Sequence, residues 1–218
     1  MAYVKLADTG EKLQVGKIVA VGANYKAHII EMGHDMPEAP MIFLKPATSI
    51  IHEGQPIVFP TTGEVMHHEV ELGLVIGETC KGVPVGEAGG MISAYCLALD
   101  MTLRDIQLAA MKTGWPWDTA KGFDGACPLS DALPVTDVAA LSQLELGLEV
   151  NGELRQKSNT NDLLWGPSEI VAMLSEHFTL ERGDIILTGT PSGVGPVERG
   201  DEIHAWLGGK LDMRFCVA

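Results

Sequence analysis

Two-residue alternation of apolar and polar positions marks the chain, and its clearest run is EVMHHEVELGLVIG, residues 64–77. Successive side chains of an extended strand point to opposite faces. Val70, Leu72, Leu74 and Ile76 therefore share one face, and His67, Glu69, Glu71, Gly73, Val75 and Gly77 share the other. Shorter apolar runs predict strands at KIVAVGANY (17–25, ending in a loop), MIFLKP (41–46), QPIVFP (55–60), MISAYCLAL (91–99) and DIILTG (184–189). ELGLEVNGELRQ (145–156) predicts a hairpin turning at Asn151-Gly152, and IHAWL and KLDMRFCV predict two last strands around Gly208-Gly209.

Helical spacing is scarcer. AHIIEMGH (27–34) predicts a short helix limited by Pro37. Thr102 to Met111 predicts a second, opened by a capping-box-like Thr102/Asp105 pair and broken by GWPW (114–117). Pro167 to His177 predicts a third, with Pro at its first position. The first fifteen residues read as a hairpin turning at Thr9-Gly10. There is no repeat, long linker or low-complexity tract. The expectation is one mainly β domain with short helices over residues 1–218, with residues 1–15 as an N-terminal hairpin extension.

Composition narrows the function. With 218 residues, 46% of them apolar, the chain can bury one sizeable core and is not broadly disordered. A net charge of −14 argues against general nucleic-acid binding, which needs clustered Lys and Arg. No polybasic patch or apolar run of membrane-spanning length is present, so no membrane association is expected. The start, MAYVKLADTGEKL, lacks the apolar core of a secretory signal, which favours a cytoplasmic location. Cys80, Cys96, Cys127 and Cys216 lack the spacing of a zinc or redox motif and read as free thiols.

The acidic strand face carries the first candidate chemistry. Glu69 and Glu71 on one face repel unless solvent, a proton or a cation compensates, and hard cations such as Mg²⁺ or Mn²⁺ take carboxylate oxygens. Asp100, at the end of an apolar strand, can present a third carboxylate to the same place. A solvated strand face plus a helix-cap carboxylate is the competing reading. His28 and Glu31, three apart on a helical turn, can form an imidazole oriented by a carboxylate, or an ordinary surface contact. Asn24 and Tyr25 precede them on a loop suited to substrate contacts. Arg104 and Gln107 share a helical face and could bind a substrate carboxylate and carbonyl. Lys45 and Lys121 are isolated cations that could bind an anion or stabilise an enolate. Thr190 lies in the glycine-rich TGTPSGVG (188–195), which is neither a P-loop nor a dinucleotide fingerprint and could line a pocket or simply turn.

Taken together, VGANYKAHIIEMG, IFLKP, HHEVELGLVIG, ALDMTLRDIQ, the segment around Lys121 and ILTGTPSGVG resemble, in order and over nearly the whole chain, the fumarylacetoacetate hydrolase C-terminal-domain family, in particular its short acylpyruvase branch. The resemblance implies a mixed, twisted β-sheet rolled into a barrel-like core, and a homodimer using Mg²⁺ or Mn²⁺. It places the metal ligands on Glu69, Glu71 and Asp100 and the catalytic groups on His28, Glu31 and Lys121. Arg104, Gln107 and Thr190 fall on substrate-side positions. The chain departs from the family's G-R-N-Y segment, with Ala23 where relatives carry Arg. The implied reaction is hydrolysis of the C–C bond of a 2,4-dioxo acid, such as fumarylpyruvate or acetylpyruvate, to pyruvate and a carboxylic acid through a metal-bound enolate. The same site suits a decarboxylase of oxaloacetate or a related 2-oxo diacid, or an isomerase/tautomerase of aromatic (homoprotocatechuate) catabolism, because all three pass through an enolate. A non-enzymatic metal-binding protein is disfavoured, since His28, Glu31 and Lys121 are all in place.

Overall fold

The computed structural model describes residues 2–33 and 35–218. The chain forms a hairpin of β1 (Tyr3–Lys5) and β2 (Lys12–Gln14), then β3 (Lys17–Gly22), α1 (Lys26–Glu31) and β4 (Met41–Pro46). β5 (Met66–His68) and β6 (Val70–Ile76) are separated only by Glu69, and β7 (Ile92–Leu99) runs up to Asp100. α2 (Arg104–Thr113) and α3 (Asp118–Lys121) follow. The hairpin β8 (Glu145–Val150) and β9 (Glu153–Asn159) leads into α4 (Pro167–His177). Then come β10 (Ile185–Leu187), β11 (Gly195–Val197), β12 (Glu202–Leu207) and β13 (Leu211–Cys216).

A mixed six-stranded sheet in the order Leu133–Pro134, β7, β6, β10, β3, β4 forms the centre, with β10 and β3 its parallel pair. Both faces are covered, and period-two alternation sorts the side chains between them. Val19, Val21, Val70, Leu72, Leu97 and Leu99 face the larger core, which they share with Leu146, Leu148, Ala205 and Met213 of the antiparallel sheet β9-β8-β12-β13. Ile18, Ala20, Val75, Cys96, Ala98 and Ile185 face a smaller core closed by Val4 and Leu13 of the N-terminal hairpin. Gly73 lies opposite Cys96 in this sheet, and a Cβ there would come within 2.6 Å of the Cys96 sulfur.

The mixed sheet with short helices matches expectation, but the barrel-like closure does not form. β4 and Leu133–Pro134 each pair along one side only, and the other sheets are open as well. The long acidic run does not continue as one strand. It breaks at Glu69, so β6 stays in the central sheet while β5 joins β11 and Thr102–Leu103 in a separate three-stranded sheet. Pro46 and Pro134 end the two outer strands and lack an N–H for further pairing.

Two local expectations also change. Residues 55–60 form no strand; Ile57 alone bridges Val217, because Pro56 and Pro60 remove donors. Thr102 does not cap α2: its hydroxyl donates to the Asp100 carbonyl (3.0 Å), and Asp105 instead accepts the N–H of Glu64 (2.9 Å). His34, the end of the expected first helix, lies outside the described residues. All four cysteines are free, and no helix among the described residues is long and apolar enough to cross a membrane.

Asp184 ties β10 to β3. Its buried carboxylate accepts the backbone N–H of Lys17 (3.0 Å) and of Glu181 (2.8 Å) and pairs with the Lys17 ammonium. Asp184→Ala leaves these donors without an acceptor, and we expect a loss toward the lower end of about 3–5 kcal/mol, since Lys17 is partly exposed. A urea midpoint that does not fall, at unchanged m value, would contradict this role.

Candidate active site

The break at Glu69 builds the site. Glu69 accepts the Asp100 N–H through its carbonyl (2.8 Å), so the start of β6 and the end of β7 are stapled and their two carboxylates lie side by side. Glu71 sits two residues on, paired in register with Ala98. Glu69, Glu71 and Asp100 are all buried, and each offers an oxygen within 4.8 Å of the others.

Three cations surround them. The Lys121 ammonium, delivered by α3, donates to Glu69 Oε2 (2.8 Å) and Asp100 Oδ2 (2.5 Å). Arg104 of α2 donates to Glu69 Oε1 and Gln107 Oε1, and through Nε to His67 Nδ1 (3.3 Å). Lys45 of β4 donates to Asp100 Oδ1 (2.6 Å) and to the carbonyls of Lys121 and Met101. Burial alone would raise the Glu69 pKa, but Lys121 and Arg104 overcome it and hold the carboxyl well below the usual carboxylate range. Glu71 has no such partner. Burial, then Asp100 and Glu69, push its pKa well above the usual range, against one backbone N–H from Gly189 (2.6 Å). Burial and Arg104 lower His67 to about 4, so its ring is neutral at pH 7 and accepts the Arg104 N–H.

This donor set fits a divalent cation. It offers only carboxylate oxygens, which suits a hard ion, and Glu71 is a buried carboxylate whose ionisation a nearby positive charge would favour.

His28, on α1, lines the same pocket and is bonded to Glu31. His28 Nδ1 lies 3.2 Å from Glu31 Oε2, and the Gly193 N–H donates to both Glu31 oxygens (3.0 and 3.2 Å). Gly193 has φ +95°, and a Cβ there would collide with the Arg155 carbonyl, so this loop needs glycine. Thr190 lines the pocket; its hydroxyl donates to the Val70 carbonyl (3.0 Å) and accepts from Gln156 Nε2 (2.8 Å).

His28, Glu69, Glu71, Asp100, Arg104, Gln107, Lys121 and Thr190 thus line one pocket. Four other expected residues do not, and of these Glu31 is joined to the pocket through its bond to His28. Asn24 is fully buried and clamps the loop after β3 to the backbone of Trp165 and Thr188. Tyr25 is buried at the start of α1, with its hydroxyl unpaired. Lys45 sits behind the carboxylates with its side chain fully covered. Sequence reasoning missed the pocket's apolar wall, which includes Ala23, Met32, Phe43, Met111 and Trp117. It also missed Gln156, a buried side chain on a polar-looking strand, which bonds His68, the Val70 N–H, Thr190 and the Pro191 carbonyl. No spacing marks it.

Known proteins match nearly the whole chain. The family model described as fumarylacetoacetate (FAA) hydrolase C-terminal matches residues 17–218. Human oxaloacetate tautomerase FAHD1, mitochondrial, is 45% identical over 200 residues, covering 92% of this chain and 90% of the relative. The Arabidopsis thaliana protein of the same name is 45% identical over 201 residues, with the same coverage of both. Among solved structures, fumarylpyruvate hydrolase from Pseudomonas aeruginosa, in complex with Mn²⁺ and pyruvate, superposes with a TM-score of 0.94 at 34% identity, covering 100% of this chain and 97% of that one. The 5-carboxymethyl-2-hydroxymuconate delta-isomerase from Mycobacterium smegmatis gives 0.83 at 44% identity, covering 94% and 79%.

Lys45 should matter through Asp100 rather than through substrate. We expect Lys45→Met to weaken Mn²⁺ binding roughly 10–100-fold, the usual effect of losing a group that orients a metal ligand. Titration calorimetry on the folded variant measures it, and an unchanged affinity would show that Asp100 needs no such anchor.

Proposed function

Because the chain belongs to the fumarylacetoacetate hydrolase C-terminal family, we propose that it is an enzyme interconverting the keto and enol forms of a small 2-oxo acid of the oxaloacetate kind. One observation carries the reading: His28, held by Glu31, and the three-carboxylate centre line the same pocket. Tautomerisation needs a base at C-3 and charge stabilisation at the C-2 oxygen, and no other reactant.

Glu31, held by the Gly193 N–H, accepts the Nδ1–H of His28, which fixes the tautomer with its lone pair on Nε2. That nitrogen takes the C-3 proton and can return it to oxygen, so atoms and charge balance over the cycle. Lys121 spends two of its three N–H donors on Glu69 and Asp100, which leaves one for the substrate oxygen as negative charge develops there. Glu69, Glu71 and Asp100 would hold the divalent cation, which when bound would polarise the 2-oxo group and acidify C-3. The relatives named oxaloacetate tautomerase support this reading over acylpyruvate hydrolysis, since they cover the chain at the higher identity.

Hydrolysis remains the second reading, favoured by the likeness to the fumarylpyruvate hydrolase, with His28 Nε2 taking a proton from water instead of carbon. A parallel assay separates the two. Enol absorbance of oxaloacetate, pyruvate release from acetylpyruvate, and CO₂ release from oxaloacetate are followed with Mn²⁺. The proposal expects accelerated enol–keto exchange ahead of either cleavage; fast acylpyruvate cleavage without exchange would overturn it.

His28→Ala should lower enol–keto exchange by about 10²–10⁴-fold, the typical contribution of a positioned general base. Its Mn²⁺ affinity should stay within a few-fold, because His28 bonds Glu31 and none of the three carboxylates. Full exchange activity in this variant would remove His28 from the mechanism.

A further inference from the structure

His67 sits half-buried on β5, behind the pocket rather than in its lining, yet the break that builds the site also places it. Because β5 leaves the central sheet at Glu69, it pairs with Thr102–Leu103, and His67 lies opposite Thr102. Arg104 follows directly and donates its backbone N–H to the Val65 carbonyl (2.7 Å). Its side chain then runs along the strand. Nε meets His67 Nδ1 (3.3 Å), and Nη2 meets Glu69 Oε1, two residues further on. Nη1 donates to Gln107 Oε1, one turn along α2. A guanidinium N–H can only donate, so the His67 nitrogen facing it presents a lone pair.

A guanidinium carries five N–H donors in a rigid plane. In Arg104, three are spent on His67, Glu69 and Gln107, which leaves one on each terminal nitrogen. The side chain is buried and lines the pocket, and a carboxylate is the group that takes two N–H donors of one guanidinium together. Such a bond pair depends on how the plane is turned. Glu69 and Gln107 both hold the terminal nitrogens, and only His67 holds Nε, at the root of the group. Without that acceptor the plane is freer to turn about the Cδ–Nε bond. We propose that His67 is a positioning residue for Arg104: it fixes the guanidinium plane so that the two uncommitted N–H groups meet a carboxylate of the bound acid. The inference rests on the reading of the pocket as a 2-oxo acid site, and it assigns the residue that orients the carboxylate anchor within it.

Two substitutions separate the acceptor from the bulk of the ring. His67→Leu removes the acceptor, and His67→Asn restores one, since Oδ1 of asparagine, like Nδ1 of histidine, is bonded to Cγ. With Mn²⁺-loaded protein and oxaloacetate, His67→Leu should raise the KM of enol–keto exchange roughly tenfold while kcat and Mn²⁺ affinity stay within about threefold. His67→Asn should recover most of the loss. In an Arg104→Lys background, His67→Leu should have almost no further effect, because the plane it orients is gone. His67→Phe, which also lacks the acceptor, replaces the leucine variant if that chain does not fold. An unchanged KM in the folded variant overturns the proposal. So does an equal loss in the Arg104→Lys background, which would make His67 a packing residue only. If the unsubstituted protein shows no exchange, the tautomerase reading falls, and the same comparison is made on acetylpyruvate cleavage. A KM effect there keeps the role of His67, and no effect there ends that role as well.

Discussion

Three carboxylates cannot stay ionised together in a protein interior unless positive charge is supplied at close range, and this constraint organises the molecule. Glu69 and Asp100 receive theirs from Lys121, Lys45 and Arg104, which arrive from a short helix, an edge strand and a longer helix. Each cation ties its own segment to the end of β6 or β7. The same contacts that neutralise the acids therefore fix the walls of the pocket. Glu71 is left with one backbone N–H and a raised pKa, which makes it the carboxylate most in need of a further cation.

The central sheet makes this arrangement affordable. Its strands are buried on both faces, with one set of side chains in each core. Against that background the break at Glu69 turns a regular ladder into a site: the strand leaves one sheet for another at the residue whose carboxylate joins those of Glu71 and Asp100. The N-terminal hairpin lies ahead of the matched family region, yet Val4 and Leu13 close the smaller core, and Lys5 pairs with Asp131 (2.6 Å). It supports the sheet from the face away from the larger core.

Alternation in the sequence was enough to place Glu69 and Glu71 together, because a period of two needs only local information. It could not show the break between β5 and β6, since sheet membership is decided by distant partners such as β11 and Thr102–Leu103. The barrel expectation failed for the same reason: closure depends on what the outer strands meet, and among the described residues neither pairs with a further strand on its far side. Asn24 and Tyr25 looked like substrate contacts because they precede the His28–Glu31 pair on an expected loop, and Lys45 because it is an isolated cation in an acidic chain. Their burial follows from acceptors far along the chain, Trp165 and Thr188 for Asn24 and Asp100 for Lys45. Gln156 carried no signal for the converse reason, being one polar residue among many on β9.

Gln156 and Glu31 show how the two halves of the site are joined. Gln156 holds Thr190 and Pro191 from below while accepting the N–H of Val70, the residue between Glu69 and Glu71. Glu31 reaches the same loop from above through Gly193. The loop from Gly189 to Gly193 thus touches the carboxylate centre through the Gly189 N–H on Glu71 and the His28–Glu31 pair through the Gly193 N–H on Glu31. Five residues span the contact with Glu31, the partner of the proposed base His28, and the contact with the acids that would hold a cation. A shift of this loop would alter both contacts together, so its geometry couples the His28–Glu31 pair to the acidic centre.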